Sequence, residues 1–204
     1  MAVLRAGNSF LSANGKILVR KTGIHSVIID GREYPVVLIG NSYWIAQNLD
    51  LKLDIPIGVS GRPYTAAAWY YNNSESTYGW NGRKFGLLYN GACIDIINSY
   101  LSTNNNGWRV ATNSDWIQLY NDAGGNNIPL KSTSFGGTNE LGFNIEGHGF
   151  RSGATGSFSG LGNEADFRTG TNDGVETHNN SSHYQGIGGW VTPAGGAIRL
   201  IMSA

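Results

Sequence analysis

The chain is short of cysteine, of charge and of long apolar runs, and each shortage removes a class of protein. Cys93 stands alone among 204 residues, so no intrachain disulfide can form and no cysteine cluster exists to hold zinc. Charged residues make up 14%, against a usual share of about 25%. Lys plus Arg equals Asp plus Glu, and no basic run exceeds Arg20-Lys21. The field that gathers phosphate backbones is therefore missing, and nucleic acid is not an expected partner. Nowhere do roughly 18 apolar residues run together, and "MAVLRAGNSFLSANGKILVR" has no uninterrupted apolar stretch followed by a cleavage site. The expectation is a chain that is neither exported by a general signal nor membrane-spanning, and whose stability comes from packing.

What is abundant is glycine, 30 residues, about twice the average share of ~7%. Six Trp, ten Tyr and seven Phe supply apolar area with polar edges. Together these describe a loop-rich domain with many tight turns.

Local signals divide the chain. In "NSFLSANGKILVR" two apolar runs flank Asn14-Gly15, the pair suited to a type I′ turn, so residues 1–23 are expected to form a hairpin arm. A lone hairpin is marginal in water, which makes it a candidate for attachment or oligomerisation. Asp30-Gly31 and Gly40-Asn41 then punctuate β-branched runs and predict two or three strands in sequence. Residues 54–84 lack any sustained period and read as a long ordered loop. In "FGLLYNGACIDIINSYL", Leu88, Ala92, Asp95 or Ile96, Ser99 and Leu101 lie near helical spacing, predicting a helix that stops at Asn104-Asn105-Asn106-Gly107. A second helix follows Thr112, with Asp115 at the capping-box position, Trp116, Leu119 and Tyr120 on one face, and Gly124-Gly125 at its end. Beyond Ile128, dense glycine leaves short strands between wide loops.

Six segments, in order, resemble the Fibrobacter succinogenes major paralogous domain: "VVLIGNSYWIAQNLD", "FGLLYN", "GWRVATNSDWIQL", "LKSTS" with "TNELGFNIEGHGFR", "GSFSGLGNEADFRT" and "GGAIRL". The resemblance covers roughly residues 26–201. It implies an α+β, C-type-lectin-like fold over 24–204, with two short helices, small irregular sheets and long loops, preceded by the N-terminal hairpin arm. Relatives occur in Bacteroidetes surface proteins and in phage virion proteins, with a more distant likeness to formylglycine-generating enzymes. Val110-Ala111 replaces the usual Leu-Pro, Arg168 stands where Trp is frequent, and Leu200 takes the place of a closing Cys.

Trp44, Trp108, Arg109, Thr112, Asp115 and Trp116 are then expected to be structural. Trp108 would fill the gap between the first helix and the sheet, and Arg109 would tie a buried loop carbonyl or carboxylate. Cys93 reads as a core thiol, without the second cysteine that formylglycine chemistry draws on. His178 and His183 bracket a loop at a spacing that needs a third ligand to hold a metal. Glu164, Asp166, Asp173 and Glu176 offer calcium-type oxygens, but the Glu-Pro-Asn and Trp-Asn-Asp signatures of sugar-binding calcium lectins are absent. Neither a metal nor another cofactor is expected, and no catalytic residue. "THNNSSHYQGIGGW" is the candidate ligand-binding stretch, with Asn179, Asn180, His183, Tyr184 and Trp190 combining adaptable hydrogen bonds with rigid rings. The alternative is that Trp190 is core and the rest a solvated loop. The expected function is a non-enzymatic phage virion subunit, a head or tail fibre or decoration protein assembled in the host cytoplasm. It would meet a host-surface glycan or protein through its loops and other virion proteins through the arm, as a homotrimer or homodimer. A bacterial cell-surface adhesion domain is the alternative, and an enzyme related to the formylglycine generators a third reading.

Overall fold

The computed structural model describes residues 4–6, 10–13, 16–19, 24–104, 107–171, 173–187 and 190–204, with side chains from 25 onward except those of 184, 185 and 187. The chain is mixed α+β, mostly sheet with few short helices. In order it forms β1 (Leu4–Ala6), β2 (Phe10–Ala13), β3 (Lys16–Val19), β4 (Ile24–Ile29), β5 (Arg32–Ile39), β6 (Ser42–Ile45) and β7 (Ala68–Trp69). Then come α1 (Glu75–Tyr78), β8 (Leu88–Tyr89), α2 (Ile94–Asn104), β9 (Arg109–Val110) and α3 (Asn113–Asp122). The rest is β10 (His148–Arg151), β11 (Phe158–Leu161), β12 (Glu164–Arg168), β13 (Gly174–His178), β14 (Tyr184–Ile187) and β15 (Leu200–Ser203).

Turn chemistry builds the first sheet. Asp30 and Gly31 both have positive φ, 49° and 76°, as a two-residue type I′ connection requires, and Ile29 pairs with Arg32 across it. Gly40, at φ 58°, opens the next connection, where Ile39 pairs with Ser42. A Cβ on Gly40 would also sit 2.0 Å from the Asp122 carboxylate. The expected two or three strands are thus a three-stranded meander, β4–β5–β6. β15 and β9 extend it on one side and β1 on the other, giving the order β1-β4-β5-β6-β15-β9. The expected hairpin pairs from Phe10↔Val19 to Ala13↔Lys16, and its Asn14-Gly15 turn lies outside the described residues. A second sheet has the order β11-β10-β12-β13-β14.

Successive strand residues point to opposite faces, and in the central strands both faces are buried. Ile45 and Leu200 face a core closed by Ile94, Ile97 and Leu101 of α2, with Trp108 wedged among them. Trp44 and Ile201, their chain neighbours, face a core closed by Trp116 and Leu119 of α3 together with Phe167 and Val175 of the second sheet. In the second core the Trp44, Trp116 and Phe143 ring centroids lie 5.4 to 5.8 Å apart, and Trp116 sits 4.6 Å from Phe167. Each such side chain contributes about 1.5–3 kcal/mol by burial.

α3 matches its expected start. Thr112 is the N-cap, its hydroxyl accepting from the Asp115 amide while the Asp115 carboxylate accepts from the Thr112 amide. Arg109 ties a carboxylate, as expected, but at the surface and not within a buried loop. It is about half exposed and donates to both Asp115 oxygens, at 2.6 and 2.9 Å, so it braces the cap from outside.

The first helix also differs. Leu88 is strand, paired across from Trp69, and α2 proper begins only at Ile94. Leu87 donates to the Leu49 carbonyl and Tyr89 to that of Gly196, so long-range pairing claims a stretch whose local spacing suits a helix. Asn90, fully buried, ends it by donating to the Pro63 and Thr65 carbonyls and accepting from Ala67. Ile96, on the expected apolar face, is 42% exposed.

Among the described residues four cations, Arg151, Arg199, Arg168 and Lys131, are buried without bonding a carboxylate, and Arg151 donates to the Gly61 carbonyl. Arg199 donates to Asn48 Oδ1 and to the Ile45, Phe143 and Asn144 carbonyls, Arg168 to the Trp190, Val191 and Ala194 carbonyls, and Lys131 to those of His178, Asn179 and Ser181. Loop carbonyls lack ladder partners, and one multi-donor cation satisfies several at once. Burial holds the Arg199 guanidinium down at about 9 and that of Arg168 at about 10.

Candidate functional site

The stretch expected to bind ligand is a β-hairpin, β13–β14, rather than an open loop. Asn179, Asn180 and His183 lie at its tip. Asn180 and His183 are exposed, and Asn179 donates to the Gly162 carbonyl and Asn163 Oδ1. Lys131 reaches up from beneath and holds the tip by three carbonyls, at 2.7 to 3.1 Å. Trp190 belongs to the other end. Its ring covers Gly174 and Gly196, where a Cβ would approach to 2.7 and 2.6 Å, and Arg168 stacks on it at 4.3 Å. Five strand residues, about 15 Å, separate the two groups. The Tyr184 side chain lies outside the described residues. Asn179, Asn180 and His183 therefore do not converge with Trp190 on one site.

The two histidines are not joined either. His178 lies between Glu176, at 3.3 Å, and Glu164, at 3.8 Å, while the His183 ring faces Tyr120 and the Ser182 hydroxyl. Asp166 is 3% exposed, and burial, reinforced by Glu176 and Glu164, pushes its carboxyl up to about 8. Among the described residues no three His, Cys, Asp or Glu side chains are grouped to hold a metal ion. Cys93 is fully buried, its thiol 3.3 Å from the Ala67 carbonyl and from Asn90 Oδ1, and burial pushes it up to about 11. A thiol so placed stays protonated and is a poor nucleophile.

Concavity is found elsewhere, in the stretch read as an ordered loop. Arg32, Glu75, Ser76, Trp80 and Asn81 line an open cleft of about 390 Å³. A polar network holds two of its lining residues, Arg32 and Glu75. Asp50, 2% exposed, accepts from Arg32 at 2.6 Å and from the Tyr70 hydroxyl at 2.8 Å. Arg32 also donates to the Asp50 carbonyl. Glu75 takes Lys52 at 2.8 Å, which with the Tyr70 hydroxyl at 3.3 Å holds its carboxyl below the usual range. Asp50 Oδ2 is buried and has no hydrogen-bond partner among the described residues. Trp80, half-buried, leans edge-on against Tyr34 at 5.2 Å, with Arg32 at 5.7 Å and Lys84 at 5.5 Å from its ring centre.

The turn that carries Trp80 is rigid. Arg83, Lys84 and Phe85 donate their amides to the Thr77, Gly79 and Tyr78 carbonyls, and a Cβ on Gly82 would lie 2.3 Å from Thr77 O. Behind it, two further clefts of about 70 and 350 Å³ are walled by Arg83 and Glu146, with Lys84 lining the smaller. An indole, a guanidinium, a carboxylate, a hydroxyl and an amide around one cleft can pack against a ring and bond its hydroxyls. The polar aromatic run "WYYNNSESTYGWNGRK" was the one signal of this site, and without a period it revealed no spatial arrangement.

Among the described residues no helix is long and apolar enough to cross a membrane. No family model matches this chain, and neither a curated protein nor a solved structure is significantly similar to it.

Proposed function

We propose that the chain is a non-enzymatic recognition subunit of a phage virion, a fibre or decoration protein, whose C-type-lectin-like domain binds a host-surface glycan. The observation that carries the binding role is the Trp80 pocket, a preformed concavity with one indole wall and four different polar groups. A sugar presents an apolar ring face and a rim of hydroxyls, and this wall composition complements both. The resemblance to the Fibrobacter succinogenes major paralogous domain supports the virion setting, and residues 1–23 are the proposed attachment arm within a trimer or dimer. A protonated, buried Cys93 favours binding over thiol chemistry.

The test is a glycan array probed with the chain and two variants. Trp80→Ala and Asn81→Ala should each lose binding, by about tenfold or more for the ring stack. Asn81 is exposed, so its variant separates ligand loss from misfolding. Binding that survives both substitutions refutes the assignment of the site. The same resemblance admits a bacterial surface adhesin, and capsid and tail genes beside this one separate the two settings.

A further inference from the structure

We infer that the glycan is an extended acidic saccharide, which lies against Trp80 and passes over Lys84 to place a carboxylate or sulfate by Arg83. This rests on the proposed glycan site and adds the ligand class. Most charged side chains around the pocket are already neutralised: Arg32 by Asp50 and Lys52 by Glu75. Arg83 and Lys84 are not. Both are exposed, neither has an ion pair or side-chain hydrogen bond among the described residues, and each lies over a ring, Arg83 at 5.9 Å from Phe85 and Lys84 at 5.5 Å from Trp80.

Their position makes them a bridge between cavities. Trp80 and Asn81 wall the pocket of about 390 Å³, Lys84 leans on Trp80 and lines the 70 Å³ cleft, and Arg83 lines that cleft and the 350 Å³ one beyond. The cleft also contains Glu146, but that carboxylate accepts from Ser132, Ser134 and Asn144, while Arg199 lies at the cleft wall. Three cations against one occupied carboxylate leave a field that attracts an anion. Lys84 is held at φ 58°, a left-handed conformation in which glycine or asparagine is commoner, by the same backbone bonds that fix the turn. The backbone that carries its ammonium is therefore already in place before binding.

The experiment titrates the full chain with a hexameric oligogalacturonate, a sulfated oligosaccharide of equal length and a neutral galacto-oligosaccharide, at about 50 and about 300 mM salt. The expected result is tighter binding of at least one acidic probe by about tenfold, weakening several-fold with salt. Lys84→Gln and Arg83→Gln should each weaken that probe by about two- to fivefold and leave the neutral one unchanged. The carboxylated and sulfated arms separate the two sources of charge. Equal, salt-independent binding of acidic and neutral probes overturns the acidic class and leaves the glycan site standing. Binding of no saccharide by the folded chain overturns both.

Discussion

Asp166→Asn should make the protein more stable at pH 8 than the parent chain, and its advantage should shrink on acidification. Asp166 lies in β12 opposite Glu176 of β13, with Glu164 two residues before it on the same face and His178 opposite Glu164. Arg168 follows on that face, but its guanidinium is turned to the 190–194 carbonyls. Asp166 Oδ1 is buried with no hydrogen-bond partner among the described residues. Burial, then Glu176 and Glu164, raise the carboxyl from 3.8 to about 8. A raised acid binds its proton in the folded state over that interval, so its stabilisation is complete below pH 3.8 and is lost as pH rises through about 8. His148 acts in the opposite sense: burial lowers it to about 3, and its contribution is complete above pH 6.5. The window from pH 6.5 to 8 therefore isolates Asp166 from His148. One proton gives a limiting slope of about 1.4 kcal/mol per pH unit, which over this window amounts to about 1.5 kcal/mol. For a chain of 204 residues, that corresponds to a Tm difference of about 3–6 °C. Urea unfolding of both chains at pH 6.5 and 8 measures it. Equal pH dependence in the two chains would refute the placement of a buried, protonated carboxyl.

Lys131→Met should free the hairpin tip, because three carbonyls lose one donor; amide exchange at Asn179 and Ser181 should speed up while the cores stay protected, and unchanged exchange would count against the pin. Thr112→Ala and Asp115→Ala should each cost about 1–2 kcal/mol in chemical unfolding, and the double variant less than the sum, since both remove one capping box. Native Cys93 should resist a thiol reagent until the chain is unfolded; fast labelling at neutral pH would contradict its burial and raised pKa.

Much of the frame was legible because its chemistry is local. A two-residue turn needs positive φ wherever it stands, so Asp30-Gly31 and Gly40-Asn41 announced the meander. A capping box lies within four residues, so Thr112 and Asp115 announced α3. Trp108, packed with α2, and Trp116 of α3 then fill the cores on either side of the main sheet. Other features depend on which distant segment arrives alongside, and one-dimensional spacing is silent about that. Residues 88–93 have helical spacing, yet Trp69 and Gly196 draw part of that stretch into strand pairing. No local pattern marks Lys131, Arg168 or Arg199 for burial, and only the folded loops supply the carbonyls that make it tolerable. The candidate pocket belongs to the same class. Composition alone provided its aromatic and polar residues, but Arg32, Asp50, Glu75 and Trp80 come together through the packing of the start of β5 against a turn tied to α1. Short-range sterics and hydrogen bonding are written into neighbouring residues, whereas a buried charge or a cavity exists only once the whole surface around it has closed.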